Sequence, residues 1–112
     1  MRRLLVWRCA LDTLRNSHQR YFPNGRFGSD LQILMVLGAV IASHTERKRA
    51  STAKLAHYLD MPPETTRRYL SRLIDLGLVE RVHGQYWPTP RVASTDHLMR
   101  AVTLIKRTAQ AL

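Results

Sequence analysis

Two adjacent prolines, Pro62 and Pro63, divide "STAKLAHYLDMPPETTRRYLSRLIDLG" (51–77) into two short amphipathic runs. Proline at the first helical position is preset in φ and lacks only an amide hydrogen that has no intrahelical partner. It also keeps the residue before it out of the helical region. A helix therefore starts sharply at Pro63, and an earlier one must stop at "LDMPP". At about 100° per residue, Glu64, Arg67, Arg68, Ser71 and Asp75 fall on one side of the later helix, with Thr65 and Arg72 at its margin. Thr66, Tyr69, Leu70, Leu73, Ile74 and Leu76 fall on the other, so one face asks to be buried and an arginine-rich face is presented. In the earlier run, Ser51 or Thr52 is the cap, and Ala53, Leu55, Ala56 and Leu59 are the apolar positions.

The flanks extend this pattern. Residues 3–20 read as a helix with Leu4, Trp7, Leu11 and Leu14 on one stripe, ended by Pro23, Gly25 and Gly28. Ser29 or Asp30 caps the next helix, which runs to about Ser43 and is apolar nearly all round, as a central helix is. Gly38 inside it predicts the close approach of another backbone. After a polar loop at 44–51 come the short helix, the tight turn and the second helix, a helix-turn-helix order. Gly77 stands where a helix C-terminus favours a left-handed residue. "LVERV" (78–82) reads as a strand, "HGQ" (83–85) as a turn and "YWP" (86–88) as a returning strand, together a small wing ended by Pro88 and Pro90. Residues 94–110 read as a last helix, with Leu98, Val102, Ile105 and Ala109 spaced along one stripe.

The 112 residues suit one domain with one core. The net charge of +10, from 18 Lys and Arg against 8 Asp and Glu, favours polyanionic partners, nucleic acid before anionic membrane. The excess is not in the two-helix unit, since residues 52–83 hold five basic and four acidic side chains; much of it lies in Arg2, Arg3, Arg8, Arg15, Arg20 and Arg26 and in Arg47, Lys48 and Arg49. A lone cysteine, Cys9, excludes an intramolecular disulfide, fits the cytoplasm and reads as a small buried residue. Arg8 and Asp12 interrupt the apolar segment a signal peptide needs, and "LQILMVLGAVIA" (31–42) is well short of the ~20 residues that span a bilayer. The five histidines have no metal-ligand spacing. No glycine-rich phosphate loop, carboxylate pair or nucleophile with a base is present. Neither an enzyme nor a cofactor is expected.

Residues 51–92 resemble the winged helix-turn-helix DNA-binding domain of bacterial transcription regulators, most closely the IclR family and next the MarR family. The elements that carry the resemblance are "LAHYLDMP", the helix closing on "LIDLGLVER", and a short wing followed by the aromatic pair of "GQYW". IclR proteins carry a large C-terminal effector domain where this chain has one helix, and MarR proteins have a longer, more basic wing than this "HGQ" turn. The first and last helices are similar to the MarR arrangement, in which they build the dimer.

The expected fold is mostly α with a small β-hairpin wing: an N-terminal helix (3–20), a DNA-binding core (30–90) and a C-terminal helix (94–110) in a single domain. The resemblance places the second helix of the motif in the major groove, through Pro63, Glu64, Thr65, Arg67, Arg68 and Arg72. Arg67 and Arg68 are the arginines expected to touch DNA, each binding guanine bidentately or a phosphate, while Glu64 either complements the helix dipole or accepts from cytosine. Ser51, Thr52 and Lys54 open the first helix of the motif, where hydroxyls and amides hold a phosphate or simply cap the helix. Arg81, His83 and Gln85 lie on or beside the wing, within reach of the DNA backbone or minor groove, and Tyr86 and Trp87 read as packing residues. Arg47, Lys48 and Arg49 add phosphate attraction. The expected dimer interface pairs Leu4, Trp7, Leu11 and Leu14 with Leu98, Val102 and Ile105. The expected function is a cytoplasmic, homodimeric, sequence-specific regulator of transcription that binds double-stranded DNA and represses by occupying a promoter. A small-molecule effector stays open. The alternative is a winged-helix protein-interaction module without DNA binding.

Overall fold

The computed structural model describes residues 2–93. Its elements are α1 (Arg2–Tyr21), α2 (Leu31–Thr45), α3 (Thr52–Leu59), α4 (Pro63–Asp75), β1 (Val79–Val82), β2 (Gln85–Pro88) and a final turn of helix, α5 (Pro90–Ala93). The expected C-terminal helix, with Leu98, Val102 and Ile105, lies outside the described residues. No helix among the described residues is long and apolar enough to cross a membrane.

The central helix is central for the reason its composition gives. Ile33, Leu34, Val36, Leu37, Ala39, Val40 and Ile41 are all buried, so α2 meets neighbours on most of its circumference. α3, α4 and β2 pack against it. Leu55 of α3, Leu70 and Leu73 of α4, Leu78, Val79 and Tyr86 of the wing, and Val92 of α5 close one continuous core with it. The strands pair antiparallel in the register Val79–Pro88, Glu80–Trp87, Arg81–Tyr86 and Val82–Gln85.

α1 is buried only towards its C-terminal end, at Ser17, His18 and Tyr21. There the His18 imidazole N–H donates to the Asp30 carboxylate at 2.9 Å, both side chains being buried or nearly so. Phe22 and Phe27 flank the imidazole with ring centroids 5.9 and 5.6 Å away. Along the rest of the stripe Leu4, Trp7 and Leu11 are 73, 69 and 53% exposed, and Leu14 is half-buried.

Several expectations need correction. Asp30 occupies the N-cap position of α2, yet its side chain makes no capping bond, because the carboxylate is taken by His18. A Cβ at Gly38 would meet nothing within 4 Å, so no backbone approaches there. α2 runs two residues beyond Ser43, to Thr45. Ala53 is exposed, which leaves Leu55 and Ala56 as the buried seam of α3 with Leu59 beside them. In α4 the fully buried residues are Thr66, Leu70 and Leu73, spaced i, i+4, i+7, while Ile74 and Leu76 are each 37% exposed. The face that packs on α2 and α3 is therefore narrower than the apolar face of the sequence. Cys9 is half-buried, not enclosed.

Candidate nucleic-acid interface

The motif is fixed by capping at each joint. Ser51 has extended backbone (φ −94°, ψ 161°), and its hydroxyl accepts from the Lys54 amide at 3.2 Å, a true N-cap for α3. α3 ends at Asp60, which is left-handed (φ 52°, ψ 49°). The amides of Asp60 and Met61 donate back to the carbonyls of His57 and Ala56, a Schellman ending. Pro62 is extended (φ −59°, ψ 137°) and Pro63 opens α4 at its first position, as the sequence predicts. The Pro62 carbonyl accepts from both the amide and the hydroxyl of Thr66, at 3.0 and 3.1 Å. This explains why a threonine is fully buried among leucines: its one polar atom is used locally.

α4 closes with the same device. Gly77 is left-handed (φ 74°), its amide donating to Ile74 and that of Leu78 to Leu73. Thr89 Oγ1 donates to the Gly77 carbonyl at 2.7 Å and the Arg91 guanidinium to that of Leu76 at 3.0 Å, so the segment after the wing grips the end of α4.

Held in this way, α4 turns Pro63, Glu64, Arg67, Arg68, Ser71 and Arg72 to solvent, with Thr65 half-buried. The arginines are not equivalent. Arg67 forms an ion pair with Glu64, one turn earlier on the same helix. Arg68 and Arg72, also one turn apart, carry no ion pair among the described residues. Tyr69, at the edge of the buried face, donates its hydroxyl to Gln32 of α2 at 2.7 Å.

A second group gathers where α3 begins. The Tyr86 amide donates to the Ala50 carbonyl at 2.9 Å, and the Thr52 hydroxyl donates to the Tyr86 phenol oxygen at 3.2 Å. Arg81, opposite Tyr86 in the register, lies with its guanidinium carbon 5.7 Å from the ring centroid, within cation–π range. Ser51, Thr52 and Arg81 are thus brought together round one buried tyrosine. The hydroxyl of Thr52 is engaged, whereas Lys54 is exposed.

The wing turn has two residues, not three. His83 and Gly84 both take positive φ (52° and 75°), the type I′ geometry that suits the twist of a hairpin. Gln85 is a strand residue paired with Val82 and is half-buried, which leaves His83 alone of the two at the exposed tip. Tyr86 is buried as expected, while Trp87 is 36% exposed and meets the His44 ring edge-on at 5.8 Å.

Between α2 and α3 runs an open cleft of about 450 Å³ that the sequence does not announce. Ala39, Ala42 and Leu55 contribute to it, as do Lys48, Arg49, Lys54 and Tyr58. Tyr58 is the residue missed. The signal for it was a large aromatic lying off the apolar face of a short helix.

No curated protein and no solved structure gave a match. The family model of the IclR helix-turn-helix domain matches residues 33–83, a span from the first turn of α2 to the tip of the wing. Residues 33–83 are therefore similar to the helix-turn-helix domain of IclR-type regulators.

Proposed function

We propose that the chain is a homodimeric, sequence-specific regulator that binds double-stranded DNA and represses transcription by occupying a promoter. The observation that carries this reading is α4 itself. Thr66, Leu70 and Leu73 lock one face into the core, and the opposite face offers Arg68 and Arg72 without partners of their own among the described residues. A rigid helix with unpaired guanidinium groups suits bidentate contact with guanine O6 and N7. Ser51, Lys54, Arg81 and the 47–49 loop then serve the phosphate backbone, setting register without reading sequence. His83 and Gln85 contribute at the wing, where the short turn limits reach.

The dimer would use α1 with the chain beyond residue 93, in the manner of MarR terminal helices. The support is the exposed run of Leu4, Trp7 and Leu11, since contiguous apolar surface of this kind marks an interaction site. The test is selection of bound sequences from a random duplex pool. Enrichment of a palindrome is the expected result. A pool that stays random, with no duplex affinity even at low salt, would instead favour an interaction module.

A further inference from the structure

We propose that the hydrogen-bonded pair His18 and Asp30 is a positioning latch: it fixes the angle at which α1 leaves the helix-turn-helix unit, and with it the distance between the two α4 helices of a dimer. The second part rests on the dimeric DNA-binding reading above.

The pair is built as a joint and not as a helix cap. Asp30 stands at the N-cap of α2, where a carboxylate ordinarily accepts from the first amides of the helix. That bond is absent, and the carboxylate instead accepts from the His18 imidazole, 12 residues back on α1, at 2.9 Å. The surroundings seal the contact. The side chains of His18 and Asp30 are 6 and 11% exposed, Phe22 stacks on the imidazole and Phe27 lies tilted against it. Gly25 passes so close that a Cβ there would overlap the Asp30 carboxylate.

Direction is what such a pair adds. Apolar contacts are non-directional and let a helix roll or tilt on its neighbour. A buried hydrogen bond between two fixed groups admits one arrangement, because any other leaves a desolvated polar group without its partner. Among the described residues of α1 only Ser17, His18 and Tyr21 are buried, so the angle of the helix is decided beside the pair. About 24 Å of helix runs from His18 to the first turn at ~1.5 Å per residue, and a tilt of about 10° displaces its tip by about 4 Å. That exceeds the ~3.4 Å between successive nucleotides of a duplex strand. A dimer held through α1 therefore turns a change at the latch into a change of half-site spacing.

The test places spin labels at Arg3→Cys, near the tip of α1, and at Ser71→Cys, on the exposed face of α4, in a Cys9→Ala chain. Dilution with unlabelled protein restricts the reading to distances within one chain. One narrow distance is expected with the wild-type pair and with His18→Gln, which keeps an N–H donor at similar reach. His18→Leu combined with Asp30→Leu removes both polar ends and should broaden it. Gly25→Ala, which keeps both partners but drives a methyl into the carboxylate, should do the same, and it decides the matter if the double variant fails to fold. A broad distribution with the wild-type pair overturns the proposal, as does a narrow one in either folded variant or a His18→Gln chain as broad as the double variant. Duplexes carrying two selected half-sites at graded spacings give the second readout. Wild type should favour one spacing about tenfold over its neighbours, since the others must deform the duplex to fit a fixed reader. The latch variants should lose this preference and keep their affinity for a single half-site; an unchanged preference overturns the link to spacing. If the labels respond as expected but no duplex binds under any condition, the DNA reading fails and the latch stands.

Discussion

Glu64 distinguishes the arginines of α4, since it pairs with Arg67 and not with Arg68 or Arg72. Its carboxylate pairs with Arg67, so on the proposed DNA-binding reading Arg67 has a competing partner, although an exposed one, whereas Arg68 and Arg72 have no ion pair among the described residues. Arg68→Ala and Arg72→Ala are therefore expected to cost about 1–3 kcal/mol on the selected site and to relax preference at one position of each half-site. Arg67→Ala should cost less, and Lys54→Ala should weaken all duplexes alike. Affinities for the site and its single-base variants check all four, and equal, uniform weakening by the three arginine variants would mean that none reads a base. Gly77 carries a different lesson at the same scale. A Cβ there meets nothing within 4 Å, so the cost of Gly77→Ala is purely conformational, about 1–2 kcal/mol for a left-handed alanine. Thermal unfolding of the variant measures it.

Among elements, the wing depends on α3 more than its sequence suggests. β2 is tied to the residues before α3 through the Tyr86 amide and to its first residue through the Tyr86 hydroxyl. Tyr86→Phe should cost about 0.5–1.5 kcal/mol in chemical denaturation, the net worth of one hydrogen bond, and it returns the Thr52 hydroxyl to solvent. An unchanged midpoint would show that this bond contributes nothing. That link was not legible in advance, because residues 34 positions apart in the chain are joined only by the tertiary fold. What was legible obeys local rules. Pro63 and Gly77 mark the ends of α4 through backbone chemistry that needs no neighbour, and the alternation of apolar residues locates α1 and α2 within two residues. The errors of helix face share one cause: Ile74, Leu76 and Ala53 are apolar and sit on plausible faces, but packing has room for a narrower seam. The exposure of Arg67, Arg68 and Arg72 on α4 was legible residue by residue, and the side-chain pairings were not. The sequence offers Glu64 as either a helix-capping acid or a base reader, and the structure gives it a third use, as the partner of Arg67.

At the scale of the whole molecule, α1 is the outlier. Its 20 residues extend about 30 Å at 1.5 Å per residue, and its exposed leucines and Trp7 all precede Ser17, the first buried residue described in the helix. Leu4, Trp7 and Leu11, with Arg8, Asp12, Arg15 and Phe27, line an open hollow of about 790 Å³. Sedimentation at micromolar concentration should find a dimer, and Leu11→Asp should convert it to a folded monomer; a monomeric wild type defeats the expectation. Duplex binding by the dimer should weaken with salt by roughly 0.9 log units per log salt for each phosphate neutralised, and about six or more phosphates are expected from Lys54, Arg81 and the 47–49 loop of both halves. A slope near zero would exclude the backbone contacts. The two-residue turn at His83 and Gly84 has a consequence of another kind, because on the proposed reading so short a wing adds little text to what α4 would read. If each free arginine fixes about one base pair, one copy recognises a word that recurs everywhere among the roughly 10⁶–10⁹ competing sites of a genome. Doubling the reader is then a matter of address: with two copies spelling the word twice at a fixed spacing, a vocabulary of a few letters becomes long enough to name one place.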